Sequence, residues 1–214
     1  MRSVLVACEF SGTVREAFAA KGWDAWSCDL LPTEKPGQHI QGDAVEAMRS
    51  RRWDLMIAHP PCTYLTNAGV RHLHPDVSSR LGNRTAIYGP ERYVSMLEAG
   101  EFFRAFLNAD VPQVAIENPI PHSYAKRQIG MYSQVVQPWM FGHGETKATC
   151  LWLKGLPPLM PSHMRDDLFA EQEPKERERR LHKLPPSPER AKLRSMTFPG
   201  LARAMAEQWS GGDD

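Results

Sequence analysis

VLVACEFSGTVREAFAAKG, residues 4–22, changes its hydrophobic period partway along. Val4 to Cys8 is a short, unbroken apolar run containing β-branched residues, the pattern of a buried strand. Ser11-Gly12 supplies a turn, and Val14, Ala17 and Phe18 then recur at helical spacing until Gly22 stops them. Strand, turn and helix in that order open a β-α unit, and the pattern continues downstream. Asp24 to Cys28 gives a second short strand closed by Asp29; after a Pro/Gly loop, Ile40 precedes Gly42-Asp43 and a short helix in AVEAMRSRR. WDLMIA (53–58) is another buried strand, ending at His59-Pro60-Pro61-Cys62. YVSMLEAGEFFRAFL (93–107) has the period of a long amphipathic helix, and Val114 to Ile116 leads into Glu117-Asn118-Pro119. This alternation predicts an α/β fold, a mostly parallel, twisted Rossmann-like sheet with helices on both faces. TCLWL (149–153) reads as a late strand and LARAMAEQW (201–209) as a last helix.

Size and composition set the bounds. At 214 residues with formal net charge +1, the chain suits one domain spanning residues 1–214, and bulk charge argues neither for nor against a polyanionic partner. Residues 155–195 form a charged, Pro-rich insertion; from Lys175 to Arg194 basic residues outnumber acidic ones, which fits a phosphate-facing segment as well as a solvated loop. The opening apolar run is too short for a secretory signal and nothing approaches a membrane span, so a cytoplasmic location without membrane partners is expected. Cys8, Cys28, Cys62 and Cys150 are scattered without a C-x-x-C pair, which suits reduced thiols. His72 with His74, and His143 with Cys150, lack a convincing ligand set, so no metal is expected.

In parallel sheets ligands gather beyond the carboxyl ends of the strands, and here each such end carries a reactive residue type. Phe10-Ser11-Gly12 lets a ligand approach the backbone near a helix amino terminus. Asp29, closing the second strand, is placed to accept from a ribose diol. Asp43 would accept from an adenine amino group or cap the helix beginning at Ala44. Pro60-Pro61 stiffens the chain before Cys62 and holds the thiol at the ligand edge, where attack competes with simple packing. A thiol is mostly protonated at neutral pH and needs a base, a dipole or a charged substrate to react; His59 is the nearest candidate for that help. Glu117, at the enclosed end of a Val-Ala-Ile run, is expected to have a raised pKa and to donate a proton to a heterocycle nitrogen.

In this order these residues resemble the DNA cytosine-5 methyltransferases. In that family an F-x-G loop opens the cofactor site, acidic residues follow the second and third strands, a P-C element carries the nucleophile and E-N carries the acid. Phe10-Ser11-Gly12, Asp29, Asp43, Pro61-Cys62 and Glu117-Asn118 match over roughly the first 120 residues. The resemblance implies a Rossmann-like S-adenosylmethionine-dependent methyltransferase fold and a cofactor bound by Phe10, Ser11, Gly12, Asp29, Asp43 and Pro60. It implies Cys62 as nucleophile at cytosine C6, Glu117 as the acid at N3, and His59, Asn118 and Lys147 on the substrate side. The partner would be DNA or a cytosine nucleotide, a base in duplex DNA being flipped out to reach Cys62. The sequence departs from the family in Thr63 after the cysteine, where Gln is usual, and in GETKATCLWL (144–153), where Lys147 and Thr149 replace arginines. No G-N-x-V element is visible, TFPGLARAMAEQW (197–209) being only a loose substitute. Residues 155–195 are too few for a separate target-recognition domain, which leaves targeting to a partner protein, to little sequence preference or to a free-nucleotide substrate. Such compactness suits a phage or prophage genome.

Two other classes fit part of the pattern. Amino-methyltransferases acting on adenine N6 or cytosine N4 carry a D/N/S-P-P-aromatic loop, whose frame His59-Pro60-Pro61-Cys62 matches without its two functional residues. A methyltransferase-derived protein that only binds nucleic acid or protein would not depend on Cys62.

Overall fold

A computed structural model describes residues 1–74, 88–161 and 196–211. One seven-stranded sheet runs in the order β3-β2-β1-β4-β5-β7-β6. Its strands are β1 Ser3–Ala7, β2 Asp24–Asp29, β3 His39–Gln41, β4 Leu55–Ala58, β5 Gln113–Pro119, β6 Gln134–Val136 and β7 Thr149–Lys154. β1 to β5 pair in parallel, and β7 runs antiparallel between β5 and β6. The α-helices are α1 Thr13–Ala19, α2 Ala44–Arg49, α3 Gly89–Leu107, α4 Ser123–Ile129 and α5 Pro199–Trp209. This is the mostly parallel, Rossmann-like α/β architecture expected from the alternating pattern.

The central strands are apolar throughout because both faces are covered. On one face Leu5, Ala7, Met56, Ala58, Val114 and Ile116 meet Met96, Phe103 and Phe106 of α3. On the other Val4, Val6, Leu55, Ile57 and Ala115 meet Phe18 of α1 and Leu201, Met205 and Trp209 of α5. Burying one such side chain is worth about 1.5–3 kcal/mol, so these two layers supply most of the drive to fold. In α3 the buried positions Arg92, Met96, Gly100, Phe103 and Phe106 follow steps of three and four, and Pro90 sits in the first turn, where its missing N–H costs nothing. That helix starts at Gly89, four residues before the expected Tyr93.

Register decides where the chemistry lies. Ala7 pairs with Cys28 and with Ala58, and Ala58 pairs with Ile116. The next residues of four neighbouring strands, Cys8, Asp29, His59 and Glu117, therefore stand in one row along the carboxyl edge of the sheet. The ladder continues into that row: Glu9 N–H donates to Cys28 O at 3.0 Å and His59 N–H to Ala7 O at 2.9 Å.

Among the strands and α-helices, two lie outside the sequence expectations. β6 has only three residues, too few to show a period of two. α4 has seven and is capped by the side chain of His122 in place of Ser, Thr, Asp or Asn. Of the charged insertion expected at 155–195, all beyond 161 lies outside the described residues, as do 75–87 and 212–214. No helix among the described residues is long and apolar enough to cross a membrane.

Candidate active site

A cleft of about 750 Å³ lies over the row of strand ends and runs without interruption from Phe10, Ser11, Asp29 and Leu31 to His59, Cys62, Lys147 and Thr197. At the first pole, Glu9 is buried and serves as the anionic cap of α1. Its carboxylate accepts from Val14 N–H at 2.7 Å, Arg15 N–H at 3.2 Å and Ser11 Oγ at 3.3 Å. A carboxylate there satisfies orphan helix donors and complements the helix dipole. Gly12 takes φ 68°, a left-handed turn that brings the chain from strand to helix. Arg15, 1 % exposed, ties the loop after β2 in place through Ser27 Oγ, Thr33 Oγ1 and the carbonyls of Lys35 and Pro36, at 3.0–3.2 Å. A side chain at Gly12 or Gly37 would collide with that guanidinium.

The expected cofactor residues separate here. Phe10, Ser11 and Asp29 line the cleft; Gly12, Asp43 and Pro60 do not. Gly12 shapes the turn from behind and Pro60 is buried below the wall. Asp43 accepts from Val45 N–H at 2.8 Å and Glu46 N–H at 3.0 Å as the N-cap of α2, the structural alternative foreseen for it. Asp29 keeps one oxygen on Leu31 N–H at 2.9 Å and faces the cleft.

At the other pole Cys62 is half-buried on the cleft wall. Its loop is fixed from three sides. Leu65 and Thr66 N–H both donate to Cys62 O, Arg92 of α3 donates to Thr63 O at 2.9 Å, and His122 Nε2 donates to Tyr64 O at 3.0 Å. Because His122 Nδ1 accepts from Ala125 N–H, its proton is on Nε2 and the ring is neutral; burial and the Arg92 charge lower its pKa accordingly. The other thiols are held protonated. Burial pushes Cys28 and Cys150 up to about 11, and burial followed by the Asp29 charge raises Cys8 further still.

His59 and Glu117, neighbours in the row, form a buried pair with Nδ1 2.9 Å from Oε2. Thr197 Oγ1 donates to the same oxygen at 3.2 Å, and Lys147 Nζ lies 4.0 Å from Oε1. The expected raised pKa of Glu117 is corrected by these partners. Burial does push the carboxyl up, but the His59 hydrogen bond, the Lys147 and His59 charges and Thr197 outweigh it and hold Glu117 down at about 2. His59 responds in the opposite sense: burial lowers its pKa, and the hydrogen bond and charge of Glu117, with Glu9 beyond, raise it above the ordinary value. Glu117 does not line the cleft, whereas His59 does, and His59 Nε2 has no hydrogen-bond partner among the described residues. Asn118 is 1 % exposed and off the cleft; its amide donates to Pro119 O while Oδ1 has no such partner among the described residues. Lys147 lines the cleft.

Glu9, Arg15, Arg92 and Thr197 lie outside the sequence expectations. Glu9 carried a local signal, an acidic residue between a strand and the first turn of a helix. Arg92 and Thr197 reach the site from distant segments and carried none.

No protein-family model matches the chain, and no curated protein matches it. Among solved structures it is similar to a candidate DNA modification methyltransferase encoded within a prophage (E. coli), with 12% identity and a TM-score of 0.42, over 72% of this chain and 46% of that one. It is also similar to the Entamoeba histolytica methyltransferase EhMeth, with 14% identity and a TM-score of 0.43, over 73% of this chain and 54% of that one. The chain thus spans about half the length of each.

Proposed function

We propose that this chain is an S-adenosylmethionine-dependent methyltransferase that modifies C5 of cytosine in DNA, with Cys62 adding to C6 of the base. The observation that carries this reading is the single cleft. It joins a pole suited to a nucleoside, with Asp29 and the backbone of Phe10 and Ser11 at the helix α1 entrance, to a pole holding a thiol and a buried carboxylate–imidazole pair. The donor set fits the cofactor: Asp29 presents a carboxylate oxygen for the ribose hydroxyls, and Phe10 and Leu31 offer apolar surface for the adenine. When bound, the cofactor supplies an electrophilic methyl group. The chain's own task is to make a poor carbon nucleophile reactive. Cytosine C5 gains electron density only after a thiolate adds at C6 and N3 is protonated, so a nucleophile and a proton source must face the same ring. Cys62 provides the first, and the His59–Glu117 pair the second. Lys147, beside Glu117, adds positive charge for a phosphate or for the ring carbonyl.

The deciding experiment incubates the protein and labelled S-adenosylmethionine with duplex DNA, single-stranded DNA and deoxycytidine nucleotides, and analyses the nucleosides by mass spectrometry. Labelled 5-methylcytosine, lost in Cys62→Ala, is the expected product. Label on an exocyclic nitrogen, insensitive to Cys62, would assign the chain to the amino-methyltransferases, and cofactor binding without transfer to any acceptor would favour a binding protein.

A further inference from the structure

Between the Glu117 carboxylate and the cleft stands an imidazole. Glu117 is turned inward, with its oxygens on His59, Thr197 and Lys147, and contributes nothing to the cleft wall. His59 occupies the intervening position, 9 % exposed, with Nδ1 committed to the carboxylate and Nε2 unpartnered among the described residues. A buried polar atom without a partner costs about 1–3 kcal/mol; Nε2 is itself shielded from solvent but belongs to a ring that lines the cleft, so a ligand atom entering beside that ring would complete the bond. We infer that His59 is the catalytic residue that gives the proton to the substrate heterocycle through Nε2, and that Glu117 is a positioning residue that fixes the ring and its tautomer. The assignment rests on the cytosine reading and moves the proton-donating atom from the carboxylate to the imidazole.

The step balances on the chain's own groups. With the Cys62 thiol proton released to solvent, the Sγ–C6 bond forms from the thiolate electron pair, the C5=C6 π pair becomes C4=C5, and the C4=N3 π pair moves onto N3, which takes the Nε2 proton of an imidazolium. His59 ends neutral, its Nδ1–H still donated to Glu117. Reversal breaks Sγ–C6, restores C5=C6 and returns the proton to Nε2. The charges facing His59 are Glu117 from β5, Glu9 from the segment after β1 and Lys147 from the segment before β7, two favouring the imidazolium and one opposing it.

Addition and reversal need no methyl donor, and they can be followed without one. With C6 occupied, C5 becomes nucleophilic and takes a deuteron from D₂O; elimination then releases the original C5 proton, so mass spectrometry of cytosine from duplex DNA reads the exchange. His59→Gln is expected to slow exchange on the order of 10²-fold or more. Glu117→Gln is expected to keep a larger share of the rate, with the alkaline limb of its pH profile moved to lower pH, because loss of the carboxylate lets Nε2 lose its proton sooner. A Glu117→Gln chain slower than His59→Gln, with the limb unmoved, would return the donor role to Glu117 and overturn the inference. If the unaltered chain neither exchanges nor methylates any cytosine substrate, the cytosine reading fails, and ¹⁵N NMR titration of His59 then decides the pairing. A lower apparent pKa in Glu117→Gln is expected, and an identical titration would overturn it. Should either variant not fold, the unaltered chain carries the test: dCMP should shift the Nε2 resonance, and an unmoved resonance counts against the inference.

Discussion

At the β1–β2 pole of the cleft the buried charges are spent on the protein itself, Glu9 on the first turn of α1 and Arg15 on two hydroxyls and two carbonyls of neighbouring segments. At the β4–β5 pole buried polar atoms, among them His59 Nε2 and Asn118 Oδ1, are left without a partner among the described residues. Both poles belong to one sheet edge and one cavity, and the difference matches the uses proposed for them. A binding pole gains by rigidity, whereas a reacting pole must keep hydrogen-bonding capacity in reserve for groups that change charge during the reaction.

The sharpest way to break this contrast is Cys62→Ala. Methyl transfer should fall on the order of 10⁴-fold while cofactor affinity by calorimetry is unchanged; weakened cofactor binding would mean the poles are not separable. Next in size is Arg15→Ala, which strips donors from Ser27, Thr33, Lys35 O and Pro36 O at once. A loss on the order of 3 kcal/mol in urea unfolding is expected, and an unchanged midpoint would show that the loop after β2 does not need its staple. The reacting pole should answer to acid. Because Glu117 is depressed from its ordinary 4.5 to about 2, the stability it contributes is present above 4.5 and is lost as pH falls toward 2. The raised His59 contributes in the opposite direction, losing its share as pH rises through its folded pKa. Urea midpoints should therefore drop across the acid window in the unaltered chain and much less in Glu117→Gln. The smallest effect is expected for Asp29→Ala: about tenfold weaker cofactor binding, with the fold untouched and the chemical step at saturating cofactor nearly unchanged.

The contrast also explains what could be read from the sequence. The β1–α1–β2 pole is local, and its strand, Ser-Gly turn, helix and closing Asp29 follow one another within residues 4–29, so periodicity and turn chemistry were enough. The β4–β5 ends were legible as apolar runs stopping at His59-Pro60-Pro61-Cys62 and Glu117-Asn118-Pro119. Their electrostatics were not. Burial alone predicts a raised Glu117, and its sign is reversed by His59, Lys147 and Thr197, which come from three other parts of the chain. Asp43 illustrates the limit within a local motif: the same carboxylate suits a helix cap and a ligand, and only the folded chain shows both of its contacts on α2. Arg92 and His122, which hold the Cys62 loop, had no signature because what they bind is main-chain carbonyl, a group every residue offers.

The row formed by Cys8, Asp29, His59 and Glu117 has a bearing on how such a site can change over generations. The separation of His59 from Glu117 is one step across a β-ladder, a spacing of about 4.8 Å set by backbone hydrogen bonds and indifferent to the loops beyond. Loops at this edge can be lengthened, shortened or exchanged without disturbing that separation. A single-residue deletion inside β5 ahead of Glu117 cannot be absorbed in the same way: it would bring Asn118 to the place of Glu117, turn the strand's side chains beyond the deletion to the opposite faces and leave His59 beside an amide that carries no charge. The loops of this edge are thus free to drift, while the pairing of His59 with Glu117 is inherited with the counting frame of the sheet.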